Sequence, residues 1–360
     1  MDSSESAGTQ GVSLEELQLA ARNHGMPLEA LRYAITPVGL HYLLIHYDIP
    51  VVDPDTWRLE IEGLVERPLS MGLDELRTRP VEDLTVTMEC AGNGRARLEP
   101  RPISQPWLLE AVGTARWRGT PLRPLLEEAG LLADPVELVF SGLDHGHEGG
   151  VEQNFQRSLS VADAVESGAV LAYEMNGQPL LPQHGFPLRL VVPGWYGMTN
   201  VKWLTRIEAV AEPFSGYQQV RGYRLRLEED EEGEPLSRMR PRALMIPPGD
   251  PEFLTRERIV KLGPCDLQGR AWSGCGEVVS VEVSCDGGRT WDHASLDSAG
   301  PAPWVWRWWT YSWTPLSSGR FELCCRARDS WGNEQPVDAA WNVGGYANNA
   351  VQRIPVTVVD

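Results

Sequence analysis

The chain has 360 residues, which at about 150 residues per domain corresponds to two or three domains. It carries 32 Lys and Arg against 50 Asp and Glu, a formal net charge of −18 that argues against a nucleic-acid binder, which needs a concentrated cationic face. The 35 Gly, 28 Pro and 14 Trp indicate a turn-rich globular chain and exclude a long helical bundle.

The ends of the sequence show no membrane or secretion signal. No run of 18 consecutive apolar residues is present, so we expect no membrane-spanning helix. The first residues, MDSSESAGTQG, are polar and acidic and lack a basic stretch followed by an apolar one. We therefore expect a cytoplasmic protein, with a processed periplasmic form as the alternative.

Strand and helix signals are mixed irregularly in the first two-thirds of the chain. Ser13 and Glu16 form a capping box that opens a short helix closing at Gly25, and PLRPLLEEAG and SVADAVESG, the latter capped by Ser160, predict two more helices. Strands are predicted at 57–62, 84–90, 136–141, 169–174, 188–193 and 201–210. Because strands and helices do not alternate regularly, we expect an α+β domain rather than a doubly wound sheet.

The acidic run at 228–234 marks a change in composition. From about residue 240 the helix signals vanish, and short alternating runs follow at 267–273, 277–284, 305–313, 320–328 and 353–359. This pattern predicts an all-β sandwich of immunoglobulin type, without the Cys…Trp…Cys framework of antibody domains. The block WVWRWWTYSW (304–313) fits a strand in the sandwich core and a subunit interface better than a membrane-interface segment.

Two segments carry residues suited to chemistry. Cys90 ends a strand and enters the turn AGNG, where a thiolate is a candidate nucleophile or soft-metal ligand, the alternative being a buried core cysteine. The stretch 172–203 places His184, Arg189 and Lys202 among glycines and prolines, a setting that suits a phosphate or another anion. The alternative for this stretch is ordinary surface charge.

Four phrases together resemble the sulfite oxidase family of molybdenum enzymes: TMECAGNGR (87–95), the stretch 172–203, AWSGCGEVVSVEVSCDGGRTW (271–291) and AWNVGGYANNAVQR (340–353). The resemblance extends from about residue 36 to the end. It implies an α+β molybdopterin-binding catalytic domain (36–235) and an immunoglobulin-like dimerisation domain (240–360), and the helix signals before it predict an N-terminal helical extension (1–35). It also implies a homodimer that uses molybdenum and molybdopterin.

The resemblance implies roles for individual residues. Cys90 would be the catalytic thiolate ligand of molybdenum, Arg95 would bind the substrate anion, Tyr223 would position the substrate and manage protons, and Trp117 would form a pocket wall. The implied cofactor contacts are Tyr42, Leu43, Leu44, Ile45, His46, Asp144, His184, Arg189, Asn200, Val201 and Lys202.

Two departures from the family pattern concern the substrate. Leu44 and Glu277 occupy positions where sulfite-oxidising members carry arginines. Each charge-assisted contact to an anion is worth about 1.5–3 kcal/mol, so other cations such as Arg95 or Lys202 would have to compensate.

The resemblance implies an oxygen-atom transfer reaction on a small oxyanion or oxide. We expect oxidation of sulfite to sulfate, with electrons passed to an external acceptor, a cytochrome or another protein. The sequence lacks the cytochrome domain of some family members, so we expect no haem. Reduction of S- or N-oxides on the same site is the first alternative. A cofactor-free immunoglobulin-like binding protein and a scaffolding subunit with structural molybdenum are the others.

Overall fold

The computed structural model describes residues 11–132, 135–298, 300 and 302–360. Its α-helices are short: α1 Leu14–Arg22, α2 Leu73–Arg77, α3 Leu122–Ala129, α4 Val161–Glu166 and α5 Tyr217–Val220. Within the described residues, no helix is long and apolar enough to cross a membrane.

The predicted capping box is present at the start of α1. The Glu16 backbone N–H donates to Ser13 Oγ (3.2 Å), and the Ser13 backbone N–H donates to the Glu16 carboxylate (2.9 Å). The helix ends one residue earlier than a glycine cap at Gly25 predicts, because the chain already becomes extended at Asn23. The Asn23 side chain donates to the carbonyl of Leu19 (3.0 Å) and so replaces the expected glycine cap.

One mixed and one antiparallel sheet form the N-terminal half. The strands are β1 Leu59–Gly63, β2 Leu69–Met71, β3 Glu82–Glu89, β4 Val112–Pro121, β5 Glu137–Glu148, β6 Val151–Ser160, β7 Val170–Met175, β8 Gln178–Pro179, β9 Arg189–Val191, β10 Leu204–Val210, β11 Arg224–Leu225 and β12 Glu234–Pro235. One sheet has the order β2-β1-β10-β5-β6, in which only the β1–β10 pair is parallel. The other has the order β3-β4-β7-β8, with β9 beside β7. Strands β11 and β12 form a separate pair.

The C-terminal half is built from strands alone in the residues that the structure describes. They are β13 Arg242–Met245, β14 Asp250–Pro251, β15 Arg258–Lys261, β16 Cys265–Trp272, β17 Val278–Ser284, β18 Asp292–His293, β19 Ser295–Leu296, β20 Arg307–Trp313, β21 Gly319–Asp329 and β22 Gln352–Val359. They form one sheet of order β13-β16-β20-β19 and a second of order β14-β15-β22-β21-β17-β18. Both sheets contribute to a single apolar core, in which Trp309 and Trp313 of β20 pack with Val281 of β17 and Leu323 of β21.

Each stretch predicted as a strand from its hydrophobic pattern contains a strand in the structure. Two long strands, β4 and β6, were missed. In β4 the glycines, prolines and arginines interrupt the alternation, yet the strand is held between β3 and β7.

The tryptophan block of 304–313 joins the two halves of the chain. The Trp304 indole N–H donates to the carbonyl of Thr85 (3.1 Å), and that of Trp306 donates to the carbonyl of Ala34 (2.9 Å). The Trp306 backbone N–H donates to Thr87 Oγ1 (2.8 Å). The block therefore supplies core residues to the C-terminal sandwich and also fastens that sandwich to β3.

Candidate functional site

Cys90 lies in a braced turn that follows β3. Its backbone N–H donates to the carbonyl of Ala111 (2.9 Å), and the side chain is buried. The amide of Asn93 spans the turn, donating to Glu89 Oε1 and to the carbonyl of Leu109 (both 3.0 Å) and accepting from the Ala111 N–H (3.1 Å). These bonds fix the position of the Cys90 sulfur.

The carboxylate of Glu89 connects this turn to the C-terminal half. Trp272 Nε1 donates to Glu89 Oε2 (2.9 Å), and Arg242 Nε lies 2.8 Å from Glu89 Oε1. The Arg242 guanidinium also donates to the carbonyl of Asn348. Both Glu89 and Arg242 are almost completely buried, so the residue before Cys90 takes part in a buried ion pair between the two halves.

Cys90 lies in the walls of two neighbouring cavities. The first, called the inner cavity, is lined by His41, Tyr42, Leu43, Leu44, His46, Met88, Cys90, Asp144, Phe155, His184, Arg189, Gly197, Met198, Asn200, Lys202 and Tyr223. The second, called the mouth, is lined by Leu19, Leu44, Ile45, His46, Tyr47, Cys90, Gly92, Arg95, Ser104, Gln105, Trp107, His147, Glu148, Tyr223 and Tyr346. Cys90, Leu44, His46 and Tyr223 line both.

The inner cavity holds two buried cations. Arg189 donates to the carbonyls of His184 (3.1 Å) and Asn200 (3.2 Å), and Lys202 Nζ donates to the carbonyl of Leu44 (2.7 Å). In the described part of the chain neither cation has a carboxylate within 4 Å. Burial lowers the pKa of Arg189 to about 10 and also lowers the pKa of Lys202, so an anion bound there would relieve an unfavourable desolvation.

Several buried polar atoms of this cavity have no hydrogen-bond partner among the described residues: His41 Nε2, Asp144 Oδ1, Arg189 Nε and the nearby Thr199 Oγ1. Unpaired buried polar atoms are rare in proteins and indicate a ligand or water. Burial raises the pKa of the Asp144 carboxyl, against the attraction of Lys202 and His46. A protonated Asp144 could therefore donate a hydrogen bond as well as accept one.

These contents fit the molybdopterin that the sequence implies. A soft thiol lies at one end of the cavity, unpaired donors and acceptors line it, and two cations suit a phosphate. No group of three or more His, Cys, Asp or Glu side chains able to hold a metal occurs among the described residues.

Two tyrosines that line the mouth, Tyr346 and Tyr223, lie between two arginines, Arg95 and Arg157. The Arg95 guanidinium lies 4.9 Å from the ring centre of Tyr346, which lies 5.3 Å from the ring centre of Tyr223, and Arg157 lies 5.5 Å from that ring. Arg95 is held by donation to the carbonyl of Gly344 (2.8 Å) and to Ser104 Oγ (2.9 Å). Burial raises the pKa of Tyr223 well above its usual value, so its hydroxyl remains a proton donor at neutral pH.

Arg95 depends on a glycine for its position. A Cβ at Gly92 would lie 2.8 Å from the guanidinium carbon of Arg95. Tyr223 depends instead on strained backbone, because its φ of +49° is left-handed, a conformation that non-glycine residues rarely adopt. Both features direct side chains towards the mouth.

A hydrogen-bonded group centred on the Glu148 carboxylate also lines the mouth. His46 Nε2 lies 2.8 Å from Glu148 Oε2, which also accepts from Gln218 Nε2 (2.6 Å) and Tyr47 Oη (3.3 Å). Burial alone raises the pKa of Glu148, but these hydrogen bonds outweigh it and hold the pKa below its usual value. The mouth therefore contains an ionised carboxylate at neutral pH.

The structure places most of the predicted site residues around the two cavities. Trp117 is an exception, since it is fully buried behind the inner cavity, with Arg189 4.7 Å from its ring, and lines neither cavity. Trp107 occupies the wall position instead. The indole N–H of Trp107 also contributes to lowering the pKa of the Cys90 thiol, against the larger effect of burial, which raises it.

Two further predicted residues have other surroundings than expected. Val201 is buried in the N-terminal core rather than lining the cavity. Glu277, at the second position where an arginine was expected, pairs with Arg307 (2.9 Å) and lines neither cavity. The carboxylate that lines the mouth is Glu148, which the sequence reasoning missed although it follows Asp144 by four residues.

Comparisons with known proteins agree with this architecture. Residues 46–218 match the family described as "Oxidoreductase molybdopterin binding domain", and residues 236–359 match "Mo-co oxidoreductase dimerisation domain". The sulfite oxidase of Gallus gallus is 36% identical over 351 residues, an alignment covering 89% of this chain and 72% of that protein.

The mitochondrial sulfite oxidase of Homo sapiens is also 36% identical, over 90% of this chain, which spans 62% of the length of that relative. Among solved structures, the sulfane dehydrogenase SoxCD from Paracoccus pantotrophus superposes with a TM-score of 0.80 at 27% identity, covering 91% of this chain and 82% of that one. With a cysteine turn, a cation-lined cavity and relatives of this similarity, the chain belongs to the sulfite oxidase family.

Proposed function

We propose that the protein is a molybdenum-dependent oxidoreductase that transfers an oxygen atom, oxidising sulfite to sulfate and passing electrons to an external acceptor. The observation that carries this proposal is the position of Cys90, whose thiol lies where a cavity with two unpaired cations meets a mouth that contains Arg95. The names of the sulfite oxidase relatives support the choice of substrate.

The residues of the inner cavity would hold the metal and bind the cofactor. Cys90 would hold the metal, Arg189 and Lys202 would bind the cofactor's phosphate, and His41 and Asp144 would meet its polar edge. When bound, the molybdenum cofactor supplies the oxygen atom that is transferred and takes up two electrons.

On the substrate side, Arg95 would bind an anion while the Tyr223 hydroxyl donates a hydrogen bond to it. Arg157, whose guanidinium lies over the Tyr223 ring, adds positive charge beside that tyrosine. The His46–Glu148 pair lines the mouth, and the Glu148 side chain is 38% exposed, so protons released in the reaction have a route to solvent.

A second candidate is reduction of an S- or N-oxide. Two residues of the mouth favour it. Leu44 supplies no positive charge at a position where an arginine was expected, and the ionised Glu148 repels a dianion such as sulfite. Arg95 and Arg157 act in the other direction, and they are why we place sulfite first.

The remaining expectations form part of the same proposal. The two C-terminal sheets share one core, and we assign them an immunoglobulin-like topology and a role in a homodimer, supported by the match to a dimerisation domain. An electron-accepting protein would serve as redox partner, and we propose a cytoplasmic location.

Molybdenum content and sulfite turnover test the proposal. Full-length protein from a host that makes the cofactor should hold close to one equivalent of molybdenum and reduce ferricyanide when sulfite is added. Cys90→Ser should lose turnover, whereas Cys275→Ser, which changes a cysteine lining neither cavity, should retain it.

Each failure has a separate meaning. Molybdenum below about a tenth of an equivalent would indicate the cofactor-free binding protein, because a preformed site with these ligands should be filled. A full metal content without sulfite turnover, but with turnover of S- or N-oxides, would select the reductase.

A further inference from the structure

Helix α1 precedes both family matches, which begin at residues 46 and 236, yet it reaches the mouth. Leu19 of α1 lines the mouth together with Cys90 and Arg95. Leu14 and Leu17 of the same helix are 66% and 54% exposed and do not line it. The helix therefore presents one apolar side chain, Leu19, to a cavity that Cys90 also lines.

One side of α1 is fastened to the wall that carries Arg95. Glu16, buried within the helix, accepts from Arg101 Nε (3.0 Å) and NH2 (2.9 Å). Asn23 Nδ2 donates to Gln105 Oε1 (2.9 Å), and the carbonyl of Gln105 accepts from the Arg95 guanidinium (3.4 Å). The segment that contains Gln105 therefore supports both helix α1 and the Arg95 side chain.

The other side is fastened to the opposite wall. Asn23 Oδ1 accepts from the Ile45 backbone N–H (2.7 Å), and His24 pairs with Leu43 through two backbone hydrogen bonds of 3.1 and 2.8 Å. Asn23 is 6% exposed, so its amide is a buried bridge between the two walls. A side chain bonded in this way on both sides holds α1 at a fixed distance from Cys90.

We infer that Leu19 is a specificity-determining residue, which limits the mouth to small oxyanions and oxides, and that Asn23 is the positioning residue that holds it there. The inference rests on the proposed function for the nature of the substrate. Its geometric content is independent of that function, because it concerns access to the Cys90 sulfur. An apolar side chain in the wall of a pocket discriminates by size and not by charge.

Access can be measured without turnover, by alkylating Cys90 in the full-length chain made without cofactor and quantifying its peptide by mass spectrometry. Iodoacetamide serves as the small probe and N-phenylmaleimide as the bulky one. Leu19→Ala should raise the bulky-to-small rate ratio about tenfold, the usual effect of changing a pocket wall by a few methyl groups. Asn23→Ala should raise it in the same direction.

Leu17→Ala is the matched control, a leucine on the same helix that points away from the mouth, and it should leave the ratio unchanged. Leu19→Trp should slow both probes. Equal ratios in Leu19→Ala and Leu17→Ala, or faster alkylation in Leu19→Trp, would overturn the inference.

The loaded enzyme gives a second readout, the ratio of kcat/KM for benzenesulfinate and for sulfite. Both substrates gain one oxygen atom and lose two electrons to ferricyanide, and they differ in bulk. Leu19→Ala should favour benzenesulfinate relative to the parent. If the enzyme turned over neither substrate, this result would contradict the proposed function only. The alkylation ratio would still test the role of Leu19.

Discussion

Arg242 Nε of the C-terminal half lies 2.8 Å from Glu89 Oε1, and both side chains are 1% exposed. Glu89 directly precedes Cys90, and its other oxygen accepts from Trp272. The C-terminal half therefore determines the surroundings of the thiol that the N-terminal half presents.

Neutralising Glu89 should be strongly destabilising. Glu89→Gln leaves the buried Arg242 charge uncompensated, and breaking one partner of such a pair costs about 3–5 kcal/mol. Urea unfolding should show this loss. Glu62→Gln, which breaks the exposed Arg206–Glu62 pair, is the control and should cost about 1 kcal/mol or less. Similar losses for the two variants would contradict a special role for the buried pair.

Removing the Lys202 charge should weaken cofactor binding while changing the stability of the cofactor-free protein little. Lys202→Met keeps the packing and eliminates a desolvated ammonium, so the cofactor-free protein should change its free energy of unfolding by no more than about 1 kcal/mol. Loss of a charge-assisted contact of about 2 kcal/mol to the cofactor phosphate should lower cofactor affinity more than tenfold. Metal analysis and equilibrium unfolding measure the two effects. An unaltered cofactor affinity would rule out Lys202 as a phosphate contact.

His41 should make the stability of the cofactor-free protein depend on pH. Burial lowers the pKa of His41 to about 4, so between about pH 6.5 and pH 4 the unfolded chain binds a proton that the folded chain does not. As the pH is lowered across this window, His41 should reduce the free energy of unfolding by up to about 3 kcal/mol. Above pH 6.5 this residue should have no effect on stability. His41→Gln should reduce the dependence and leave the part that arises from His184, whose pKa burial also lowers.

His293→Gln provides the comparison for that experiment, because the His293 side chain is 80% exposed. Unfolding curves from pH 7 to pH 4 should retain the parental slope in this variant. If His41→Gln also retained it, acid sensitivity would have to arise from other groups.

Glu148 should weaken the binding of anionic substrates. Glu148→Gln removes the ionised carboxylate from the mouth while keeping a hydrogen-bonding side chain, so the KM for sulfite should fall about three- to tenfold at low salt. The effect should shrink as ionic strength rises. Glu152→Gln, which changes a 66% exposed carboxylate of β6, should leave the KM unchanged. A higher KM in Glu148→Gln would show that the carboxylate helps substrate binding.

The parts of the site that the sequence predicted are those encoded by local motifs. Cys90, with its glycine turn, and His184, Arg189 and Lys202 lie within short stretches whose residue types indicate their chemistry. Position along a strand was less informative, since Trp117 of β4 points into the core rather than into the mouth.

The remainder depends on contacts between distant segments. Trp107 reaches the mouth because its loop folds back and its carbonyl accepts from the Ala96 N–H (2.9 Å). Glu89 and Arg242 are 153 positions apart, and no spacing rule relates them. The bridge made by Asn23 likewise forms only once two walls of the mouth are in place.

The indole hydrogen bonds of Trp304 and Trp306 affect which substitutions the contact between the two halves tolerates during evolution. Their acceptors are backbone carbonyls of Thr85 and Ala34, which every substitution at those positions preserves. The Glu89–Arg242 pair, in contrast, requires both side chains at once. Consider a chimera that joins residues 1–235 to the C-terminal half of a distant relative. It should fold when the residues at the tryptophan contacts differ, and it should be unstable when the relative lacks an arginine at the position of Arg242. The two halves can therefore be exchanged between relatives only if this ion pair is kept.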